Sequence, residues 1–202
     1  LEKLNLKDKM DYFGAPTPDN PVFPSYTVIC SKNQIPVEHS QSTFEASEMI
    51  RFIEERDTSK PFFGWLTFDH PHEPFPVPEP YASMYMPQDI QLPSFKKEWW
   101  NKIPAEQKEW AITRGYDNFS EEELKICIAF YCGLISLVDW NIGRVLKRLK
   151  ELNLEEDTVV IFVSDHGDFA GEHRWINKGF NYDAIIKIPM ILKFPKKFDV
   201  SI

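Results

Sequence analysis

The amino-acid sequence predicts an α/β fold in which a mostly parallel β-sheet is flanked by helices. The segments 61–68 and 158–163 are short, uncharged and rich in aromatic or β-branched residues, which is typical of strands buried on both faces of a parallel sheet. A helical pattern over 120–152 leads into the second segment. Because parallel strands need a long crossover connection, usually a helix, this order favours a parallel sheet.

The composition is that of an acidic, folded domain. Hydrophobic residues make up 43% of the 202 residues, and 31 Asp and Glu against 23 Lys and Arg give a net charge of −8. These values exclude a disordered chain and argue against a broad nucleic-acid surface, which needs an excess of basic residues. The length suits one domain or a large part of one. Three cysteines without metal or redox spacing are expected to be buried free thiols: Cys30, Cys127 and Cys132.

Prolines divide the first half of the chain. Residues 1–41 contain five of the 16 prolines and are predicted to be irregular. A helix is predicted to begin at Ser42, because Ser42 and Glu45 have the spacing of a capping box and apolar residues follow at helical intervals. Seven prolines within 71–93 then require a loop. Residues 81–119 have no clear period, and no element is predicted there.

The helix over 120–152 has the clearest signal, because Ser120 and Glu123 have capping-box spacing. Apolar residues recur in steps of four and three, which predicts one continuous buried face: Leu124, Ile128, Tyr131, Ile135, Val138, Ile142, Val145, Leu149 and Leu152. Its nearly uninterrupted apolar stretch of 13 residues is shorter than the ~20 residues of a membrane span. We therefore expect a core helix and no membrane span. Strands follow at 158–163 and 188–194.

Ionisable residues are concentrated directly after two of the predicted strands. Four of the five histidines lie there: His70, His72, His166 and His173. Ligand sites of open parallel sheets gather at the carboxyl ends of the strands. Asp165 and His166 leave the strand 158–163 together, and both side chains suit a divalent cation. The alternative is an Asp turn with a hydrogen-bonded histidine, and two ligands alone do not complete a coordination shell.

Two further residues have side chains suited to an anionic substrate. Lys178 lies beside Gly179 in a loop and could neutralise an anion bound next to a metal, although a solvated loop lysine is the alternative. His72 lies between Pro71 and Pro74, which stiffen its backbone. It could protonate a leaving oxygen, or it could be a structural histidine. A structural role is expected for three other ionisable residues: Asp69, Asp168 and His173.

Two blocks of the sequence resemble the sulfatase family. The segment 71–75, Pro-His-Glu-Pro-Phe, is similar to the family's P-H-x-P-F segment. The segment 164–168, Ser-Asp-His-Gly-Asp, is followed by Gly-Glu-His at 171–173, by Lys178 and by Ile-Pro-Met-Ile at 188–191, in the order of the family's second signature. The resemblance implies an alkaline-phosphatase-like fold and the hydrolysis of sulfate esters.

The resemblance also assigns roles to the candidate residues. Asp165 and His166 would be metal ligands, whereas His72 and Lys178 would contact the sulfate and its bridging oxygen and support departure of the alcohol. The cofactor would be a divalent metal, with Ca²⁺ expected first and Mg²⁺, Mn²⁺ or Zn²⁺ as alternatives. The partner would be a small-molecule or carbohydrate sulfate ester. Localisation and oligomeric state are not predicted.

The sequence departs from the family in its nucleophile. None of the cysteines or serines stands in a C/S-x-P/A-x-R motif, from which the family makes formylglycine, and the family's N-terminal Asp-Asp pair is missing. We therefore expect both upstream, outside this chain. Residues 1–202 would be part of one catalytic domain, with an irregular segment at 1–41 and an α/β body at 42–202, and would be inactive alone. The alternatives are a phosphodiesterase or phosphonate monoester hydrolase of the same superfamily and a non-catalytic glycan-binding relative.

Overall fold

The computed structural model describes residues 30–195 and contains both helices and paired strands. The strands are β1 (Cys30–Asn33), β2 (Phe75–Pro78), β3 (Val160–Val163) and β4 (Met190–Lys193). The α-helices are α1 (Gln41–Glu55), α2 (Lys97–Lys102), α3 (Ala105–Thr113), α4 (Glu121–Glu151) and α5 (Asp183–Ile186). Six short 3₁₀ helices connect them within the described range. The α/β class is confirmed.

The strands form two pairs of different direction. β1 and β2 are parallel, with Cys30 opposite Phe75. β3 and β4 are antiparallel, with Val160 opposite Lys193. β1 lies inside the segment predicted to be irregular, so that prediction is wrong for residues 30–33; residues 1–29 lie outside the described residues.

Two of the predicted strands at the site differ from expectation. Residues 61–68 form neither helix nor strand, and Phe63 and Trp65 are about four-fifths exposed, at 80% and 79%. β3 is confirmed as a strand, but most of its residues are exposed, so its predicted burial on both faces is wrong. A run of apolar residues indicates what a strand would bury, but the covering layers must come from elsewhere in a fold.

Helix α1 begins one residue earlier than predicted, at Gln41, with Ser40 as its N-cap. The predicted capping box between Ser42 and Glu45 is wrong, because Ser42 lies inside the first turn. Its Oγ atom is instead 2.8 Å from His70 Nδ1 in a buried contact. The helix is therefore tied to the loop that follows residue 69.

Helix α4 has the predicted capping box: Glu123 N donates to Ser120 Oγ over 3.2 Å, and Ser120 N donates to Glu123 Oε2 over 2.8 Å. Its buried face differs from the predicted stripe in the middle of the helix. Leu134 and Leu137 are fully buried, whereas Ile135 is 43% exposed. Since this part of the helix is apolar almost all round, the sequence cannot determine which side faces the core.

Helix α4 is the central element of the described core. It packs against α1, β1 and β2. By length and composition it could also cross a membrane, but the core helix of a globular domain can have the same length and composition.

Asn141, on the buried side of α4, is fully buried and donates to Leu137 O over 2.9 Å. Arg144 donates to Asn141 Oδ1 over 2.8 Å and to Ser47 Oγ in α1 over 3.0 Å. These contacts support the predicted core helix.

Candidate active site

The loop after β3 packs closely against the segment 184–185 at Gly167. Gly167 N donates to Ile185 O over 2.7 Å. A Cβ atom at Gly167 would lie 1.9 Å from Ala184 O. Only glycine therefore allows the loop to approach the segment 184–185 so closely. This contact fixes the position of the residues directly before Gly167, Asp165 and His166.

Asp165 and His166 present an oxygen and a nitrogen to the same region. Asp165 Oδ2 is 3.5 Å from His166 Nε2, and Asp165 Oδ1 accepts a hydrogen bond from His166 N over 2.8 Å. His166 Nδ1 is 2.7 Å from Gly167 O. Because a carbonyl oxygen only accepts, Nδ1 carries a proton, and in the neutral ring Nε2 carries the lone pair. The backbone thus leaves Nε2 as the ring nitrogen that can accept a hydrogen bond or bind a cation.

The carboxylate of Asp165 is kept ionised. Burial acts to raise its pKa, but the hydrogen bond from His166 N and the nearby charges of His166 and Lys178 outweigh it, so the pKa lies below its ordinary value. The side chain is 84% exposed, so it is accessible to a cation from solvent.

Lys178 joins this pair from the opposite side of the loop. Its Nζ atom lies 2.8 Å from His166 Nε2, which accepts the hydrogen bond. Its backbone N donates to Asn177 Oδ1 over 2.7 Å. His166 is therefore in contact with two other predicted site residues, Asp165 and Lys178.

His72 lies in the proline-rich loop before β2. Its Nδ1 atom is 2.7 Å from Glu73 O and 3.3 Å from Glu73 Oε2. The loop is closed by a hydrogen bond of 3.0 Å from His72 N to Asp69 O. The His72 side chain is 46% exposed. One ring nitrogen is therefore held by Glu73 while the ring is accessible.

The two loops meet through residues without a predicted role. Asn177 Nδ2 donates a short hydrogen bond to Glu73 Oε1, and Asn177 N donates to Asp168 Oδ1 over 3.0 Å. A continuous series of contacts thus connects His72 through Glu73 and Asn177 to Lys178. The sequence signal for these two residues is only their position, directly after His72 and directly before Lys178.

The three residues expected to be structural have structural contacts. Asp168 Oδ1 also accepts from Ala170 N over 2.7 Å, and burial raises the pKa of its carboxyl although these backbone bonds act to lower it. The His173 ring stacks on Trp99, with centroids 3.9 Å apart and planes at 6°. Asp69 Oδ2 accepts from Gln41 Nε2 over 3.3 Å.

Asp165 and His166 fit part of a coordination shell for a divalent cation. Their Oδ2 and Nε2 atoms are 3.5 Å apart, a separation suited to two ligands of one ion. In the part of the chain that the structure describes, no group of three or more His, Cys, Asp or Glu residues could hold a metal. Further ligands would have to come from outside these residues.

Solved structures with the same fold define the class. The chain is similar to a phosphonate monoester hydrolase of Agrobacterium radiobacter, with 30% identity and a TM-score of 0.72 over 82% of this chain and 35% of that one. It is also similar to the enzyme of that name from Silicibacter pomeroyi, with 25% identity and a TM-score of 0.74 over 96% and 41%. The fold is that of alkaline-phosphatase-like hydrolases.

Sequence relatives and a family model define the family. The Sulfatase family model matches residues 7–200. An arylsulfatase of Clostridium perfringens is 36% identical over 149 residues, which cover 74% of this chain and 31% of the relative. The chain therefore belongs to the sulfatase family of the alkaline phosphatase superfamily, as its motifs predict.

The curated relatives are longer than this chain. A multifunctional alkaline phosphatase superfamily protein, PehA of Trinickia caryophylli, is 32% identical over 179 residues, 80% of this chain and 34% of the relative. The chain thus spans about a third of the length of these two curated relatives.

Proposed function

We propose that this chain supplies the leaving-group side and half of the metal site of a metal-dependent sulfatase that hydrolyses sulfate esters. The observation that supports this is the series of contacts from Asp165 and His166 through Lys178 to the loop that holds His72. These contacts bring an Asp–His pair, a lysine and a histidine to two meeting loops, and side chains of these types can assist hydrolysis of an anionic ester.

Asp165 and His166 would hold a divalent cation, for which Ca²⁺ is our first candidate and Mg²⁺, Mn²⁺ or Zn²⁺ are alternatives. When bound, such an ion supplies Lewis-acid stabilisation of negative charge on the ester oxygens. His166 Nδ1 is engaged by Gly167 O, so Nε2 is the ring atom that would face the ion, which would replace the hydrogen bond that Nε2 accepts from Lys178 Nζ.

Lys178 and His72 would act on the substrate. The net charge of −8 repels an anionic ester, so attraction has to come from local positive groups such as the Lys178 ammonium. His72 Nδ1 lies near the backbone O and the side-chain Oε2 of Glu73. In the imidazolium form Nε2 also carries a proton, and Nε2 is the atom that would give this proton to the departing alcohol and leave a neutral ring, with Lys178 as the alternative donor.

The nucleophile, a formylglycine in this family, would be supplied by the full-length protein outside this chain. The substrate would be a small-molecule or carbohydrate sulfate ester. The mouse iduronate 2-sulfatase, 31% identical over 168 residues covering 77% of this chain and 30% of that protein, is consistent with a sugar sulfate. The particular sugar would be selected by loops that vary between relatives.

A phosphonate monoester or phosphodiester is the second candidate substrate. Two similar proteins favour it: the phosphonate monoester hydrolases of Agrobacterium radiobacter, at 30% identity, and of Silicibacter pomeroyi, at 25%. Both kinds of ester present a tetrahedral anion with a leaving oxygen, so the same cation, lysine and histidine would serve either.

The test is to assay the full-length protein on an aryl sulfate and on an aryl phosphonate monoester. We expect the higher kcat/KM on the sulfate, and a loss on the order of 100-fold or more in Lys178→Ala and His72→Ala. Lys147→Ala, an exposed lysine of α4, is the matched control and should keep full activity. Normal turnover by Lys178→Ala would refute its assignment, and preference for the phosphonate would favour the second candidate.

The isolated chain provides an independent test. We expect the 202-residue chain to show no turnover of either ester, since it has no C/S-x-P/A-x-R motif. Measurable turnover by the purified chain, abolished by Lys178→Ala, would contradict the proposed division of the site.

A further inference from the structure

We propose that Glu73 and Asn177 are positioning residues, whose side-chain hydrogen bond holds His72 and Lys178 at the distance and angle that ester hydrolysis requires. This inference rests on the proposed function. Glu73 and Asn177 have no hydrogen bond to the side chains of Asp165 and His166, and the sequence resemblance assigns them no role.

Glu73 contacts both loops with one carboxylate. Its Oε1 atom accepts the hydrogen bond from Asn177 Nδ2, and its Oε2 atom lies 3.3 Å from His72 Nδ1. The Glu73 side chain is only 16% exposed, so water competes weakly for these oxygens. A single side chain therefore sets the position of His72 relative to the loop 104 residues further along the chain.

Asn177 uses both ends of its amide. Nδ2 donates to Glu73, and Oδ1 accepts from Lys178 N over 2.7 Å. The residue is 8% exposed and has φ 68°, a left-handed conformation that asparagine tolerates better than most residues. Aspartate would have the same shape and conformation, but it has no donor for Glu73. It would place a second carboxylate against the first.

The donor and the acceptor of the hydrogen bond between Asn177 and Glu73 can be exchanged by substitution. In Glu73→Gln combined with Asn177→Asp, the new amide at position 73 donates to the new carboxylate at position 177, which can still accept from Lys178 N. In Asn177→Asp alone, two carboxylates face each other. Glu73→Gln alone keeps an oxygen that accepts from Asn177 Nδ2. We therefore expect Asn177→Asp to be the severe change and the reversed pair to restore the contact.

The experiment measures kcat and KM of the full-length protein, on whichever ester it hydrolyses, for the wild type, both single variants and the double variant. If the His72 imidazole and the Lys178 ammonium group are misplaced, kcat falls by a larger factor than KM changes. We expect Asn177→Asp to lower kcat on the order of 100-fold with a change in KM of less than about threefold, and the double variant to recover at least about tenfold of this loss.

Asn153→Asp is the matched control, because Asn153 is an exposed asparagine with φ 57° at the end of α4. It makes the same chemical change in the same backbone conformation, and it should leave kcat unchanged. Thermal unfolding of each variant identifies a loss of fold. A purely structural pair would lower the unfolding temperature while the remaining folded enzyme keeps its kcat.

Three outcomes decide the proposal. Recovery of kcat in the double variant supports it. An Asn177→Asp variant that is folded and fully active, or a double variant no better than this single change, overturns it while the proposed function stands. A wild type that hydrolyses neither ester overturns the proposed function, and the positioning role fails with it.

Discussion

Single side chains at this site owe their state to the backbone around them. His166 shows this most directly, because the carbonyl of Gly167 determines which ring nitrogen is protonated. Gly167 itself is required by the closeness of Ala184 O. A neighbouring backbone oxygen and a missing Cβ atom thus determine which ring nitrogen of His166 carries the lone pair.

Removing His166 should therefore weaken metal binding. We expect His166→Ala in the full-length protein to lower divalent-cation affinity on the order of 100-fold, because a ligand atom is lost from the shell. Titration calorimetry with Ca²⁺, and with Mg²⁺, Mn²⁺ and Zn²⁺ in parallel, measures the change. His39→Ala, an exposed histidine, is the control. Unchanged affinity in His166→Ala would remove this residue from the metal site.

His70 should make the stability of the chain depend on pH. Burial lowers its pKa below the ordinary value of 6.5, although Asp69 acts to raise it. The folded state therefore binds this proton more weakly than the unfolded state. Stability should fall as the pH decreases from about 6.5 towards the folded-state pKa, by no more than about 1.4 kcal/mol per pH unit from this residue.

Urea unfolding at pH 7.5 and pH 5.5 measures the effect of His70. We expect the loss of stability between these values to be smaller in His70→Gln than in the wild type, and unchanged in His39→Ala. His173 has a lowered pKa for the same reason, burial, so part of the pH dependence should persist in His70→Gln. An identical pH dependence in His70→Gln and the wild type would contradict the assignment.

At the scale of elements, α4 illustrates how packing chooses among faces that are equally apolar. Gly133 lies where a Cβ atom would be 2.6 Å from Tyr81 O, whereas Gly143 has no heavy atom within 4 Å of that position. Both glycines are in the same helix, so they have the same intrinsic cost relative to alanine. Only their surroundings differ.

The two glycines should respond to alanine with opposite signs. Gly133→Ala should destabilise the chain by about 1–3 kcal/mol, because the clash is with a backbone carbonyl that cannot rotate away. Gly143→Ala should stabilise it by up to about 1 kcal/mol through helix propensity alone. Chemical denaturation of both variants gives the comparison. The Tyr81 carbonyl belongs to the 3₁₀ helix Tyr81–Ser83, which contacts α4. A stabilising Gly133→Ala would show that α4 does not pack against this 3₁₀ helix.

At the scale of the whole molecule, the described residues include many large apolar side chains that are exposed to solvent. Large exposed side chains lie on the segment 61–68 and on β3 and β4 with their flanks: Phe63, Trp65, Val159, Ile161, Phe162, Val163, Met190, Ile191, Leu192 and Phe194. The side chains on β3 and β4 are neighbours through the strand pairing, and contiguous exposed apolar surface marks interaction sites or leads to aggregation. The isolated chain should therefore bind an apolar dye and self-associate.

Substitution of one exposed pair tests this expectation. Ile161 and Leu192 lie opposite each other in the β3–β4 register and so share a face. We expect Ile161→Thr combined with Leu192→Thr to reduce Nile red fluorescence and self-association of the isolated chain. Phe44→Ser, at a 62% exposed residue of α1, is the control and should have a smaller effect. A wild-type chain that is monomeric by light scattering and does not raise Nile red fluorescence would contradict the expected self-association and dye binding.

The features that the sequence predicted correctly are those encoded within a few residues. The capping box of α4, for example, depends on Ser120 and Glu123, three positions apart. The capping box predicted at Ser42 failed for a physical reason. A buried histidine 28 residues away offered its side chain a partner, and local spacing does not report distant partners.

The order of the amino acids was enough to establish the α/β class, the positions of α4, β3 and β4, the family and the chemical types of the candidate site residues. Three features emerge only in the folded chain: the buried face of α4, the antiparallel pairing of β3 with β4, and the contact of Glu73 with Asn177 that joins the two loops. The physical reason is range. Caps, turns and motifs depend on interactions between neighbouring residues, whereas a contact between residues 104 positions apart exists only after the chain has folded and brought both loops to one place.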